Sequence, residues 1–438
     1  MIRRRTDVWL KRPVSASFLP KTADDLKGVW VRWSDDQDTV QSSGEALAAG
    51  RFEFLGTSVT YSDQIKWDDP DVSHLWRYHL HYFEYLEDVA AWAMAGSRVE
   101  AYKLFRRLVE SWIDHHHLVK GDGWHPYTIS LRLVNWIQCS LVFETELEKE
   151  PDFRNRLLRS MWRQGEILYR DREFDVRGNH LLENLRALIW LGQYFDEPVA
   201  TRWSQAAWAN LETETAEQVL ADGGHFERSP GYHLVVMKDL VEIGWLCQRN
   251  GHQRPAWLST AIDRMAKYTL RITTPTGRVP LLKDTALDAA PEVADLGIAA
   301  AVLLQDEALT PSGKPGPLVA RWLTLAEETG WAANQPTTLN DGSELLTESG
   351  HYLLRDQHRD HFLILDVGKV CPEYLPAHGQ ADMLSFELFV SGVPLVVDSG
   401  VYEYTAGPWR DYFRSTLAHN TVTAVSYTHL TLPTIYSV

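Results

Sequence analysis

A twelve-residue segment, DGGHFERSPGYH at residues 222–233, places a tyrosine and two histidines around the expected start of a helix. Ser229 and Pro230 mark that start, because serine caps helices and proline fits the first helical position. Tyr232 then falls in the first helical turn. A phenol and imidazoles are groups that transfer protons, so this segment predicts acid and base chemistry.

A second segment, RGNHLLENLRALIW at residues 177–190, supplies an amide and another imidazole. Asn179 is a candidate N-cap for a helix that opens at His180. The three- and four-residue separations would place His180, Glu183 and Asn184 on one face of that helix. This face is therefore a candidate partner for the tyrosine segment.

The third segment, residues 376–400, contributes His378 ahead of two strand-like stretches. Both predicted helix starts carry partial positive charge and free N–H groups, so two such starts facing a cleft would favour a carboxylate and a phenolate there. Together, the three segments predict a site that binds a carboxylate and moves a proton beside it.

Composition bounds the class of protein. A chain of 438 residues with 45% hydrophobic and 23% charged residues is expected to form two globular domains. A net charge of -16 argues against nucleic acid as a partner. It permits an acidic polymer, because charge is screened beyond roughly 8 Å and local arginines set the field in a cleft.

Cysteine usage and hydropathy exclude two further classes. The three cysteines are an odd number without metal spacing, so they are expected to be small buried hydrophobes: Cys139, Cys247 and Cys371. The sequence contains no run of 18 apolar residues, so no transmembrane helix is predicted. The basic N-terminal stretch has no continuous apolar core, so a signal peptide is not evident.

The periodicity changes once along the chain. From about residue 75 to residue 326, roughly ten amphipathic helical segments follow one another, which predicts antiparallel helix pairs in an array or toroid. Residues 51–61 are a candidate strand pair ahead of them. The linker is expected at residues 334–344.

Strand patterns begin after this linker, and they predict antiparallel hairpins. Alternation in the stretch LSFELFV predicts one buried face, with Leu384, Phe386, Leu388 and Val390 on the same side. The expected fold class is α+β multidomain, an incomplete barrel of helix pairs followed by an antiparallel sheet. The expected domains are residues 1–335 and 336–424.

Several motifs, in this order along the chain, resemble the heparinase II/III superfamily of polysaccharide lyases. They are RGNHLLENLRALIW, DGGHFERSPGYH, AHGQADMLSFELFVSGVPLVVDSG and YFRSTLAHNTV. LWRYHLHYFEYL and WHPYTISLRLVNWI resemble the helical domain of that superfamily. The resemblance extends from about Arg51 to Thr423. It implies an α/α toroid, an antiparallel β-sheet domain and a substrate cleft between them.

The resemblance also implies a reaction, β-elimination beside a uronic acid in a polysaccharide. The proton on C5 is too weakly acidic until the adjacent carboxylate is neutralised, so the enzyme stabilises an enolate-like intermediate. A base then takes the C5 proton and an acid protonates the O4 leaving group. The expected activity is that of a carbon–oxygen lyase that leaves an unsaturated uronate end.

Roles carry over to matching positions of this chain. Asn179 and His180 would neutralise the carboxylate, with Glu183 orienting them. Tyr232 would be the acid, and also the base for one substrate epimer. His378 would be the other base or a carboxylate partner.

Substrate-binding side chains are predicted outside this set as well. The resemblance offers Arg228 and Arg414 as ligands of the acidic sugar. From their residue types, Trp124 and Tyr127 are candidate stacking platforms, although most of the eighteen tryptophans are expected to lie in the core.

Some relatives hold a structural zinc, and this chain departs from their ligand pattern. Asp398 and His419 fit two of the ligand positions, but Gln380 stands where a histidine is expected. Glutamine is a poor zinc ligand. The expectation is therefore that zinc is absent and that no cofactor is required.

Two alternative functions stay open at this point. An α/α-toroid glycoside hydrolase would use Asp222 and Glu227 as paired carboxylates. A non-catalytic carbohydrate-binding envelope protein would bind polymer without turnover. The motifs do not choose among alginate, heparan-like, chondroitin-like and other acidic polymers, nor do they define an oligomeric state. The resemblance implies the periplasm or the cell envelope.

The last residues of the chain differ from the rest. From Val425 the sequence reads VSYTHLTLPTIYSV, which has no acidic or basic residue apart from one histidine. It resembles a reading frame of a sequencing adapter. The expectation is that residues 425–438 are not native and that the β-domain is truncated.

Overall fold

Thirteen α-helices and seven strands follow one another in the computed structural model, which describes residues 37–287, 290–314, 316 and 337–423. The helices are α1 (Gln37–Ala48), α2 (His74–Tyr82), α3 (Leu86–Trp92), α4 (Arg98–His115), α5 (Pro126–Val142), α6 (Glu144–Lys149), α7 (Pro151–Arg170), α8 (Gly178–Tyr194), α9 (Pro198–Gln218), α10 (Pro230–Arg249), α11 (Ala256–Ile272), α12 (Val293–Leu304) and α13 (Pro408–Phe413). The strands are β1 (Arg51–Phe54), β2 (Thr57–Thr60), β3 (Gly342–Leu346), β4 (His351–Asp356), β5 (His361–Asp366), β6 (Phe386–Val390) and β7 (Val393–Val396).

The helices form two layers, as the helical pattern predicts for paired helices. Helix α8 packs against α5, α9 and α10, and fourteen of its seventeen residues are buried. Only eight of the twenty-one residues of α9 are buried. A helix that is buried all round belongs to an inner layer, and one with a single buried stripe belongs to an outer layer. The layers and their pairing are those of an α/α toroid.

Antiparallel strands form both sheets of the described ranges. The predicted strand pair is confirmed as the β1–β2 hairpin, and β3 to β7 form a five-stranded meander in chain order. Both predicted hairpins, β4–β5 and β6–β7, are present. The change from helices to sheet lies between Leu309 and Gly342, and of the predicted linker only residues 334–336 fall outside the described residues.

The buried face of β6 is not the predicted one. Glu387 and Phe389 are buried, whereas Phe386 and Leu388 are half-buried and Val390 is exposed. Hydrogen bonding explains this orientation, because Glu387 Oε1 accepts the backbone N–H groups of Leu281 at 2.8 Å and Asp398 at 3.2 Å. A polar residue therefore faces the helical region, where backbone donors need an acceptor.

A buried cluster of three charges joins the helical region to the sheet domain. Lys283 Nζ donates to Asp366 at the end of β5 and to Asp382 ahead of β6, over 2.5 and 2.6 Å. None of the three side chains is more than 1% exposed. Since buried charges are tolerated only when they are paired, this cluster fixes the sheet domain against the loop that follows α11.

Three other expectations concern the cysteines, membrane-spanning helices and the end of the chain. Cys139 and Cys247 are buried and Cys371 is half-buried, and all three are free thiols. Among the helices in the described ranges, none is long and apolar enough to cross a membrane. Residues 425–438, expected to be non-native, lie outside the described residues.

Replacing Lys283 tests the domain junction. Lys283→Met keeps most of the packed stem but leaves two buried carboxylates without their cation, so we expect a loss of about 3 to 5 kcal/mol in the free energy of unfolding. Urea denaturation measures this loss. The control is Lys267→Met, whose half-exposed lysine pairs with Asp263 at 2.8 Å and should contribute less than about 1 kcal/mol. Equal losses in the two variants would contradict the proposed role of the cluster.

Candidate active site

The His378 ring lies between groups from both domains. It stacks on the Tyr232 ring, with 3.5 Å between centroids and 24° between planes. Its Nδ1 donates to Asp284 Oδ2 at 3.2 Å, and its Nε2 lies 3.4 Å from Glu227 Oε2. The structure therefore brings together the phenol and the imidazole that the sequence offered from segments about 150 residues apart, and it adds two carboxyl groups.

Asp284 organises the sheet-domain side of this cluster. Both terminal nitrogens of Arg410 donate to its carboxylate, and Gln380 Nε2 donates to its Oδ1 at 2.6 Å. Burial alone would raise the pKa of Asp284, but the hydrogen bonds from His378 and Arg410 lower it to about 2. The group is thus an ionised acceptor, and His378 carries its proton on Nδ1 when it is neutral.

Glu227 is the opposite kind of carboxyl group. It is 1% exposed, and its Oε1 has no hydrogen-bond partner among the described residues. Burial raises the pKa of Glu227, against the lowering effects of His378, His180 and the Asn179 backbone N–H. A side chain at Gly178 would place its Cβ only 2.6 Å from Glu227 Oε1, so the approach of the α8 backbone requires glycine.

The Tyr232 phenol is held in its protonated form. Burial raises the pKa of Tyr232 well above its usual value, and the neighbouring Tyr404 and Asp284 raise it further. Tyr404 also donates to the backbone carbonyl of Asp284 at 3.1 Å. A neutral phenol beside an imidazole is suited to donating a proton.

The two helix starts differ from the prediction. Helix α8 begins at Gly178 after an N-cap at Arg177, so Asn179 lies inside the first turn and is not the cap. Helix α10 begins at Pro230 with Ser229 as N-cap, as predicted, but the serine side chain does not cap the helix. Its hydroxyl lies 3.2 Å from Thr285 Oγ1.

Protein groups already interact with backbone N–H groups at both helix starts. The Asn179 N–H interacts with Glu227, and the Gly231 N–H donates to Thr285 Oγ1 at 2.9 Å. These two N–H groups are therefore engaged by protein side chains and are not free to bind a substrate carboxylate. Neutralisation of such a carboxylate has to come from side chains.

His180 is positioned by a residue that the sequence motifs did not identify. Its Nδ1 donates to Glu173 Oε1 at 2.9 Å, and Asn184 Nδ2 donates to Glu173 Oε2 at 2.9 Å. Burial would raise the pKa of Glu173, but these hydrogen bonds and the charge of His125 bring it below its usual range. The predicted shared face of His180 and Asn184 is thus present, and its His180 side chain is 31% exposed.

Glu183 turns away from that face. It accepts from Arg186 Nε at 3.1 Å inside the helical core, where Arg186 also pairs with Glu242 and Asp239. The residue therefore supports the packing of α8 against α10.

The two candidate arginines contact backbone carbonyls. Arg228 donates to the Phe226 and Glu348 carbonyls at 3.2 and 3.0 Å, and Arg414 donates to the Gly379 carbonyl at 2.8 Å. Arg228 thus joins the helical region to the sheet domain. Arg414 holds the loop that carries His378.

Only one of the two candidate stacking residues has an accessible position. Trp124 is 7% exposed, and its ring packs on Trp112 and beneath the Arg163 guanidinium. Tyr127 is half-buried, and its ring lies 4.3 Å from the His180 ring. Tyr127 therefore remains a candidate wall of the site, while both faces of Trp124 belong to the core.

The zinc-type positions form a hydrogen-bonded pair. His419 Nδ1 lies 3.0 and 3.1 Å from the two Asp398 oxygens, and Gln380 Nε2 is engaged by Asp284. A structural zinc site takes four ligands from cysteine, histidine and carboxylate groups, and within the described residues no third group of this kind lies close enough to Asp398 and His419 to share an ion with them. The described residues of this region do not fit a structural zinc. A separate group that could hold a metal ion comprises Asp68, His115 and His116.

Asp222 has a structural position. Its Oδ2 accepts from the Glu348 and Ser349 backbone and from the Ser349 hydroxyl, and its Oδ1 accepts from the Gly224 N–H. Four donors leave this carboxylate committed to the domain junction. The pairing of Asp222 with Glu227 that a hydrolase would need is therefore not supported.

Family comparisons agree with the two-part architecture. A profile described as "Heparinase II/III N-terminus" matches residues 32–300, and one described as "Heparinase II/III-like, C-terminal" matches residues 338–429. The chain belongs to the heparinase II/III family. The resemblance in the sequence motifs is thereby confirmed, and so is the predicted order of toroid and sheet.

Individual relatives of the heparinase II/III family are distant and longer. A heparin-sulfate lyase of Pedobacter heparinus is 24% identical over 311 residues, which cover 68% of this chain and 44% of that protein. One from Bacteroides stercoris is 24% identical over 436 residues, covering 92% and 62%. The crystal structure of heparinase III matches with a TM-score of 0.75 and 19% identity, over 89% of this chain and 63% of that chain. The chain thus spans about half the length of these curated relatives, and the structural likeness shows the fold.

Substituting Glu227 tests the electrostatics of the site. Its folded-state pKa is raised, so as the pH increases the unfolded chain loses this proton first and the stability of the wild type falls. Glu227→Gln cannot ionise, so we expect a higher unfolding midpoint than the wild type at pH 8 and an equal midpoint near pH 4. Thermal unfolding across this pH range measures the difference. The exposed Glu212→Gln is the control, and a Glu227→Gln variant that is equally stabilised at both pH values would contradict the raised pKa.

Proposed function

We propose that the protein is a polysaccharide lyase that cleaves a uronic-acid-containing polymer by β-elimination. The observation that carries this proposal is the stack of Tyr232 on His378, with Asp284 and Glu227 at the two imidazole nitrogens. Family membership and relatives named heparin-sulfate lyase support the class of reaction and an acidic polysaccharide as substrate.

The first step is neutralisation of the uronate carboxylate. His180, held by Glu173 through Nδ1, presents its other nitrogen, and Asn179 lies one residue before it in the first turn of α8. These two side chains would hydrogen-bond the carboxylate as charge moves onto it from C5. Since both donors are fixed by α8, their orientation costs little when the enolate-like intermediate forms.

Proton transfer follows at the Tyr232–His378 pair. His378 takes the proton from C5, and the C5–H electron pair forms the C4=C5 double bond as the C4–O4 bond breaks. Tyr232 gives its phenolic proton to O4. The raised pKa of Tyr232 supports the acid role, because the phenol stays protonated until it transfers its proton to the leaving O4.

His378 is suited to the base role by its contact with Asp284. An ionised carboxylate at Nδ1 stabilises the imidazolium that forms when Nε2 accepts a proton. After product leaves, His378 Nε2 gives up that proton, which restores the neutral imidazole. The proton is then returned through solvent to the Tyr232 phenolate.

Removing the Tyr232 hydroxyl tests the acid assignment. Tyr232→Phe keeps the ring stacked on His378 but removes the proton, so turnover should fall roughly 100- to 10,000-fold. The ultraviolet absorbance of the unsaturated uronate product measures turnover on a panel of uronate polymers, and a hydrolase would produce no such absorbance. Full activity in the variant would show that another group is the acid.

A second buried tyrosine provides the matched control. The Tyr268 hydroxyl lies 2.7 Å from His351 Nδ1 in the domain junction, away from the His378 contacts. Tyr268→Phe removes a buried hydroxyl of the same kind and should retain turnover. If polymer binds but neither the wild type nor this control yields unsaturated product, the non-catalytic carbohydrate-binding function would replace the proposed one.

The proposed reaction needs no metal. Gln380 donates to Asp284, and among the described residues no third histidine, cysteine or carboxylate forms a metal-binding group with Asp398 and His419. Chelation with EDTA should therefore leave the rate of product formation unchanged within about a factor of two, a difference of less than 1 kcal/mol in the barrier. Elemental analysis of the purified protein is the independent readout, and one tightly held zinc per chain would overturn this expectation.

A further inference from the structure

An exposed cluster of aromatic rings lies on the segment around α13. Tyr402 is 65% exposed, Trp409 is 58% exposed and Tyr412 is 46% exposed. The Trp409 ring lies 5.8 Å from Tyr402 and 6.5 Å from Tyr412, so the three rings form one surface, which we call the aromatic platform. Large exposed aromatic surfaces mark sites of ligand or partner binding.

The same segment forms a wall of the proposed active site. Arg410, next to Trp409, donates with both terminal nitrogens to Asp284, the partner of His378. Tyr404, two residues after Tyr402, contacts Asp284 and neighbours Tyr232. Because two residues of extended chain span at most about 7 Å, the platform begins close to the reacting groups. One side of the segment holds the catalytic cluster while the other exposes aromatic rings.

From this continuity we propose that the aromatic platform is a substrate subsite, which stacks on pyranose rings of the polysaccharide beyond the cleaved bond. The inference rests on the proposed function, since it takes the occupant of the neighbouring site to be the same polymer. Aromatic faces bind the C–H faces of sugar rings and not their carboxylates. Asp411 is exposed on the same helix, so attraction between opposite charges does not explain binding there.

Kinetics with two lengths of substrate test the platform. Trp409→Ala should raise KM for a long uronate polymer about ten-fold, with kcat unchanged, because stacking away from the reacting bond contributes equally in ground and transition states. For the shortest oligosaccharide that is cleaved, KM should not change. The increase should persist in 0.5 M salt, where charge contacts are screened.

A control and a binding measurement separate this inference from the proposed function. Phe174→Ala removes another exposed aromatic ring, 47% exposed and outside the cluster, and should leave both KM values unchanged. Retardation of the proteins in gels that contain the polymer measures binding without turnover. Weaker retardation of Trp409→Ala alone supports the platform even if no polymer is cleaved. Equal retardation and equal KM for the wild type and Trp409→Ala would overturn the inference. A wild-type dimer that Trp409→Ala dissociates would also overturn it, since the aromatic platform would then bind a second copy of the chain.

Discussion

Two consecutive residues in the loop after α11 hold the molecule's two parts in register. Lys283 reaches into the sheet domain to pair with Asp366 and Asp382, and Asp284 receives Arg410 and His378 from the same domain. Lys283 adopts a left-handed backbone conformation, with φ of 57°, so the two side chains leave the loop in directions that an extended strand would not give. This loop fixes the sheet domain so that His378 stacks on Tyr232 of the helical region. The candidate site therefore depends on a junction whose charges are fully buried.

The two carboxyl groups beside the His378 imidazole, Asp284 and Glu227, have pKa values shifted in opposite directions. Asp284 has a cation and an amide as partners, and its pKa lies at about 2, whereas Glu227 has a raised pKa and an oxygen without a hydrogen-bond partner among the described residues. Environments that move the pKa values of neighbouring groups apart are the usual way in which one site obtains both an acid and a base. Asp284 thus serves as the permanent anion that orients His378. Glu227 is the group that can exchange a proton with it.

The sequence predicted the elements better than the contacts between them. Tyr232 and His378 carried strong motifs, and the period of the helices and strands gave the order of the two domains. Asp284 lies in a loop outside every motif, and its role depends on which side chains the sheet domain brings to it. Glu173 is similar, because its contacts with His180 and Asn184 cross a turn that periodicity does not describe. The inward orientation of Glu387 could not be predicted either, since it depends on the backbone donors of a loop about a hundred residues away.

The occupied helix starts restrict how the site handles negative charge. Glu227 interacts with the first turn of α8 and Thr285 with that of α10, so backbone N–H groups there are engaged before substrate arrives. A uronate carboxylate that enters the cleft must be neutralised by side chains, and His180 and Asn179 are the available donors from α8. Placing a second carboxylate near Glu227 costs less if Glu227 is protonated, and burial favours that form. The raised pKa of Glu227 is thus consistent with a site that admits an anionic sugar, because the carboxyl group beside His378 Nε2 is one that the protein can neutralise.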